Sequence, residues 1–255
     1  MEALVYKRDL GNQKPSDFGK VKDECPFCHY QDVENIIETS KDIIWTQNKY
    51  PVLAKTNQTL IIETHDHKAN FGTYSPEHAQ EVLRFSFAAW EKLKASKKYK
   101  SVIFYKNHGP LSGGTLSHAH MQIIGLNEVE AYEFIQPKHF EGIEVCKNNL
   151  IKVNFSTQPF CGLRETNVII EQADFPEALP NLSKVIQKTF GYHLEKHIFS
   201  FNIFFYDFEG KYIVKFVPRF PTPPYYVGFG IPQVLDEETL KQDAKELAER
   251  IELNN

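Results

Sequence analysis

Asn107-His108-Gly109-Pro110-Leu111-Ser112-Gly113-Gly114-Thr115-Leu116-Ser117-His118-Ala119-His120-Met121-Gln122 is the stretch on which the reading of this chain turns. It opens rich in Gly and hydroxyl residues and runs straight into an alternating segment. Loops of this composition leave backbone N–H groups free, and the missing side chains let an anion approach them closely. In the strand that follows, His118, His120 and Gln122 share one face while Ala119, Met121 and Ile123 share the other. A lone histidine on a strand is usually structural. Three ligand-capable side chains at period two, beside a phosphate-type loop, point to a site. For the loop taken alone, a plain Gly-rich turn is the competing reading.

Outward from this stretch the pattern predicts a helix from Ser75 to about Ala95. Ser75 suits the N-cap, Pro76 and Glu77 the first turn, and Val82, Leu83, Ser86, Trp90 and Leu93 form one face. Strands are predicted over 42–45 and 59–63 before it, and over 101–106 and 118–125 after it. The second half repeats the order: strands over 150–155 and 167–171, a helix from Leu182 to about Lys196, and a hairpin of 200–206 with 211–217 through Asp207-Phe208-Glu209-Gly210. Two copies of one ββαββ order point to a duplicated domain. Pro218–Pro224 reads as an extended connector, and a charged amphipathic helix from Asp236 to about Ile251 closes the chain.

Composition bounds the function. Hydrophobic residues make up 42% and charged residues 24% of 255, which is globular, and twenty Phe with twelve Tyr promise a core built from rings. The net charge of −4, with no basic block beyond Lys97-Lys98-Tyr99-Lys100, argues against nucleic acid as a partner, because backbone binding needs a clustered positive surface. No apolar run approaches the roughly 18 residues of a spanning helix, so no membrane partner is expected. The first twenty residues carry no signal-peptide core, and four cysteines form no secreted disulfide framework, so the cytoplasm is expected.

The spacing His118-x-His120-x-Gln122 after a Gly/Ser-rich loop resembles the galactose-1-phosphate uridylyltransferase-like branch of the histidine-triad superfamily, including a bacterial transferase-like group within it. Cys25-Pro26-Phe27-Cys28, Asn48-Lys49-Tyr50-Pro51-Val52, His67, and the ending Phe216-Val217-Pro218-Arg219 through Tyr226-Val227-Gly228-Phe229 extend the resemblance over nearly the whole chain. It implies an α+β fold of two histidine-triad-like halves, antiparallel sheet with helices on one face. Residues 1–130 would hold the chemistry and 140–255 a degenerate copy. His120 would be the nucleophile toward the α-phosphate of a nucleotide-type substrate, its other nitrogen held by the His118 carbonyl. Gln122 can donate to a phosphate oxygen but relays no proton, which favours transfer to another phosphate over transfer to water. Asn107, Gly113, Gly114 and Thr115 would hold phosphate oxygens, and the resemblance adds Asn48 as a contact to base or ribose. The expected activity is that of a nucleotidyltransferase or phosphorylase on a nucleotide-sugar or dinucleoside polyphosphate. The alternatives are a hydrolase of the same substrates and a nucleotide-binding or regulatory module without turnover. Superfamily habit also implies a homodimer.

Cys25-x-x-Cys28 has the spacing of a structural zinc knuckle, which His67 and His118 would complete; a redox pair is the competing reading. His65 is an alternative to His67, and the resemblance prefers His67. Cys146 and Cys161 read as buried apolar residues. The likeness thins at Lys49, where an aspartate gripping the ribose is expected, and at Leu116-Ser117, which replace Asn-Pro. Lys215 stands near an iron-binding histidine position, and Gly230 where a glutamate would read sugar hydroxyls. Turnover of UDP-glucose with galactose-1-phosphate is therefore expected to be absent or very weak. A coupled assay giving robust turnover would contradict this reading of the second half.

Overall fold

A computed structural model describes residues 3–16 and 25–253. The chain divides into two compact units, Met1–Asn70 with Glu81–Phe134, and Phe71–Gln80 with Ile135–Asn255. Ahead of the first sheet lies a short helix α1, Arg8–Gly11. The sheet itself is built from β1 (Ile36–Ser40), β2 (Ile43–Gln47), β3 (Thr56–Ile62), β4 (Ser101–His108) and β5 (His120–Leu126), side by side in the order β1-β2-β3-β5-β4. Every pairing within it is antiparallel. Helix α2, Pro76–Ala95, begins where the Ser75 hydroxyl accepts the His78 N–H at 3.2 Å. Its predicted face is buried: Val82, Leu83, Ser86, Trp90 and Leu93, with Phe87 added. Phe104 of β4 meets the rings of Trp90 and Phe87 at 5.5 and 5.9 Å, so one face of the first sheet is closed by α2.

The second unit has β6 (Gly142–Lys147), β7 (Lys152–Ser156), β8 (Thr166–Glu171), β9 (Phe201–Phe208) and β10 (Lys211–Pro218), in the order β6-β7-β8-β10-β9 and again antiparallel throughout. Helix α3, Phe175–Glu195, packs Phe190 on Phe201 at 4.9 Å and His193 on Phe216 at 5.5 Å. Helix α4 is Pro224–Phe229, and α5, Glu237–Ile251, is capped by Asp236, whose carboxylate accepts the Thr239 N–H at 2.9 Å. Among the described residues no helix is long and apolar enough to cross a membrane.

Several expectations need correction. Each half has three strands before its helix, not two: β1 and β6 are edge strands, β1 mostly exposed and β6 mostly half-buried, so neither shows the full alternation of a half-buried strand. Helix α3 starts seven residues earlier than predicted: Pro176 sits in the first turn, where a missing N–H costs little, and the helix runs on through Pro180 in its interior. The Pro-rich connector ends in α4, whose C-cap is Gly230 at φ 66°, a left-handed position suited to glycine. Cys146 and Cys161 are half-buried, and the Cys161 sulfur lies 3.8 Å from the Tyr226 hydroxyl.

His193 gives the second unit a pH-dependent stability. It is fully buried, and its Nδ1–H donates to the Thr189 carbonyl at 3.0 Å. Burial pushes its pKa from 6.5 down to about 4, with the Thr189 bond opposing and Arg164 adding to the shift. Unfolded chains take up this proton near 6.5 and the folded one only near 4, so the unfolded state binds more protons in between and is favoured as pH falls. The contribution is fully present above 6.5 and is lost across the window from 6.5 down to 4. Urea unfolding at pH 7.5 and pH 4.5 should show wild type losing up to about 3 kcal/mol more than His193→Leu between the two conditions. Equal losses in both proteins would remove His193 as the cause.

Candidate active site and metal centre

Two histidines two residues apart are turned to different tasks by the carbonyls they meet. A carbonyl oxygen only accepts, so the ring nitrogen facing it must carry the proton. His118 Nε2 lies 2.8 Å from the Thr64 carbonyl and is therefore the donor, which leaves the lone pair on Nδ1. That Nδ1 faces two sulfurs, Cys25 Sγ at 3.7 Å and Cys28 Sγ at 3.6 Å. His67 joins them, its Nδ1 3.2 Å from Cys28 Sγ and its Nε2 3.2 Å from the Ser117 hydroxyl. The ligand atoms of Cys25, Cys28, His67 and His118 all lie within 4.8 Å of one another. Burial pushes the Cys25 thiol up to about 12. His65 stacks flat on Tyr30 with ring centres 3.7 Å apart, so His67 is the histidine brought to the thiols.

His120 is set the opposite way. Its Nδ1 lies 2.8 Å from the His118 carbonyl and must donate, so the lone pair sits on Nε2. The imidazole is buried, and the edge of Phe27 meets it at 5.3 Å. His120 and Gln122 line a cavity of about 310 Å³ together with Gly113, Gly114, Thr115 and Leu116 from the loop and Asn48 from the segment after β2. The loop is a single 3-10 turn, Pro110–Ser112, between Gly109 at φ 78° and Gly113 at φ 87°. A Cβ placed on Gly113 would meet nothing within 4 Å, so that backbone is open to a ligand. The Ser112 hydroxyl donates to the Gly109 carbonyl at 2.6 Å and fixes the turn. Across the cavity the Asn48 side-chain oxygen accepts the Tyr50 N–H at 2.9 Å.

Not every sequence candidate lines this cavity. His118 shares strand parity with His120 but is committed to the thiol cluster. Asn107 is not among the residues lining the cavity, and its Cβ lies within 3.1 Å of where a Cβ on Gly114 would stand. Lys49, where the resemblance expected an aspartate, does line the cavity, its exposed side chain 4.0 Å from the Glu34 carboxylate. The structure also adds residues that sequence reasoning passed over. Phe27 and Lys14 line the cavity. Tyr105 donates its hydroxyl proton to the Gln122 side-chain oxygen at 3.1 Å. The alternation of β4 carried a signal for Tyr105, since Phe104 in the core puts its neighbour on the cavity face. On the α2 face a buried ion pair joins Lys106 of β4 to Glu63.

Comparison with known proteins bears on the fold and the family. A DUF4931 family protein from Bacillus cereus is 40% identical, with 86% of this chain and 100% of that one covered at a TM-score of 0.76. An ADP-glucose phosphorylase from Arabidopsis thaliana, crystallised with bound ADP-glucose, matches at 14% identity over 96% of this chain and 94% of that one, TM-score 0.67. A uridylyltransferase matches at 14% identity over 91% and 92%, TM-score 0.68. At such identities the last two establish a shared fold. Among curated proteins none matches the sequence. The family model described as domain of unknown function (DUF4931), N-terminal domain, matches residues 6–129, and its C-terminal counterpart matches 132–248. Spanning nearly the whole chain between them, the two matches place this protein in the DUF4931 family.

Proposed function

We propose that this chain is a nucleotidyltransferase of the phosphorylase kind, acting on a nucleotide-sugar or dinucleoside polyphosphate through His120. One observation carries the reading: His120 donates through Nδ1 to the His118 carbonyl, which leaves its Nε2 lone pair unprotonated beside an open, Gly-lined cavity. Nε2 attacks the α-phosphorus, an N–P bond forms, and the P–O bond to the leaving phosphate breaks, so that sugar phosphate departs with the electron pair. A phosphate oxygen then attacks the same phosphorus and breaks the N–P bond, releasing a nucleoside diphosphate when inorganic phosphate is the acceptor. Backbone N–H groups of the loop around Gly113 and the Gln122 amide meet the charge that builds on the phosphoryl oxygens. The first leaving group is a phosphate and the second is the neutral His120 imidazole; neither needs a proton from Gln122, whose amide relays none. The fold shared with a phosphorylase that binds ADP-glucose supports the choice of substrate class.

The second unit is read as a degenerate copy. Its strand order repeats that of the first. The row Thr46-Leu60-Gln122-Tyr105 crosses β2, β3, β5 and β4, as Asn154-Asn167-Lys215-Phe204 crosses β7, β8, β10 and β9. β10 stands where β5 stands in the strand order and contains no histidine, so the copy carries no nucleophile of this kind.

Incubation with α-phosphorus-labelled ADP-glucose and UDP-glucose should give acid-labile labelled protein that discharges on adding inorganic phosphate. His120→Ala should give none. Label that is lost equally fast without added phosphate would identify a hydrolase, and no label in wild type would leave a binding module as the better account.

Zinc is proposed for the thiol–imidazole cluster. Tetrahedral zinc with bonds of ~2.0–2.3 Å sets neighbouring ligand atoms ~3.3–3.8 Å apart, and the three separations above, 3.2, 3.6 and 3.7 Å, fall in or next to that range. Both imidazoles turn Nδ1 to the cluster and hold Nε2 against an oxygen, the outer arrangement that metal-binding histidines adopt. Four protein ligands fill the coordination shell, so the ion would serve structure. Metal analysis of freshly purified protein should return about one zinc per chain, and Cys25→Ser/Cys28→Ser should lose it. Zinc-free wild type would remove the proposal.

A further inference from the structure

We propose that Tyr105 is a positioning residue that fixes the Gln122 side-chain amide with its NH2 end toward the cavity; the functional consequence rests on the nucleotidyl-transfer reading above. A primary amide has one accepting end and one donating end, and the two are nearly identical in shape. Beside a phosphate only the NH2 end is attractive, because the oxygen end presents a lone pair to an anion. Something other than shape must therefore choose between them. Tyr105 and Gln122 face each other across β4 and β5, and the tyrosine hydroxyl lies 3.1 Å from Gln122 Oε1. On the other side Gln122 faces Leu60 of β3, which has no polar side-chain atom to compete. With its oxygen engaged by Tyr105, the amide turns its N–H bonds away from β4 and into the cavity that Gln122 lines.

Burial keeps the donor a donor. It pushes the Tyr105 phenol up to about 12, so the hydroxyl retains its proton at any pH where a phosphate substrate is handled. A phenylalanine in this position would pack in the same register and leave the amide free to flip. In the flipped state the oxygen faces the phosphate, and the charge building on phosphoryl oxygens loses a donor. Tyr105 thus acts on the reaction through Gln122 and needs no contact with substrate.

The test compares Tyr105→Phe, Gln122→Ala and the double variant. In nitrogen-15-labelled protein the Gln122 side-chain NH2 signals are identified by their absence from Gln122→Ala. Tyr105→Phe should shift that pair, because the amide loses the hydrogen bond to its oxygen. In the ADP-glucose labelling assay, Tyr105→Phe should slow formation of labelled protein about five- to tenfold, the worth of one hydrogen bond in a desolvated site. In the Gln122→Ala background the same change should cost nothing further, whereas a merely structural role for the hydroxyl would cost the same in both backgrounds. Unmoved Gln122 signals, or equal slowing in both backgrounds, would overturn the proposal. If wild type takes no label, the nucleotidyl-transfer reading fails by itself, and the Gln122 signals still decide the amide's orientation.

Discussion

The hydrogen bond from His120 Nδ1 to the His118 carbonyl is the constraint on which the first unit's chemistry depends. It joins the thiol–imidazole cluster to the cavity through two peptide units. Both imidazoles are fixed in tautomer by backbone carbonyls, and in opposite senses: His118 is protonated on Nε2 by the demand of Thr64, and His120 on Nδ1 by the demand of His118. Backbone acceptors hold their place only as well as the strands that carry them. Ile62 pairs with His120 at the end of β3, and just beyond it the Glu63 N–H donates to the Ala119 carbonyl at 3.2 Å. The end of β3 and the start of β5 are thereby locked together at the point where both tautomers are decided.

Beneath that point, on the α2 face, lies the Lys106–Glu63 ion pair, with exposures of 1% and 0%. Burying two charges is expensive, and a well-packed apolar pair would often be as stable. What the pair supplies is a fixed geometry, because Lys106 on β4 and Glu63 after β3 stand on either side of β5. The second unit has its own buried pair, Lys215 with Glu165 at 2.9 Å, set on the face away from α3. Here the ammonium also donates to the His139 carbonyl and the Asn167 side-chain oxygen, both at 2.9 Å, and lies 4.9 Å from the centre of the Phe160 ring. The Glu165 carboxylate accepts the N–H groups of Phe160, Cys161 and Gly162. Its polar centre is thus spent on folding a loop onto the sheet.

Much of this was legible in the sequence where residues carry their own chemistry. Cys25, Cys28, His67 and His118 were separable from the other cysteines and from His65 by spacing and likeness, and the helix over Pro76–Ala95 by its cap and periodicity. What escaped notice has no side-chain signature. The carbonyls of Thr64 and His118 belong to every residue type alike. Edge strands β1 and β6 bury almost no side chain fully, and α3 begins ahead of Pro180, an interior proline that a sequence pattern takes for a helix stop.

The two units share one strand order, and besides the residues on the strands they differ in what connects them. Between β4 and β5 the chain spends eleven residues, Gly109 to Ala119, on a loop with two left-handed glycines and an exposed backbone. Between β9 and β10 it spends two, Glu209 and Gly210, with φ of 51° and 76°, the tight turn whose twist matches the flanking strands. A two-residue turn satisfies its own geometry and has no N–H groups left to present to a ligand. It also extends the ladder, pairing Lys211 with Phe208 directly at the turn. A longer hairpin ladder strengthens the sheet, and a long Gly-rich loop weakens it, since each glycine gives up more conformational freedom on ordering than any other residue. The first unit bears that cost, and the thiol–imidazole cluster and the buried ion pair fix the geometry of the same strand ends. Relieved of the loop, the second unit carries the two-residue turn alone at this place and sets its own buried pair, Lys215 with Glu165, elsewhere on the sheet.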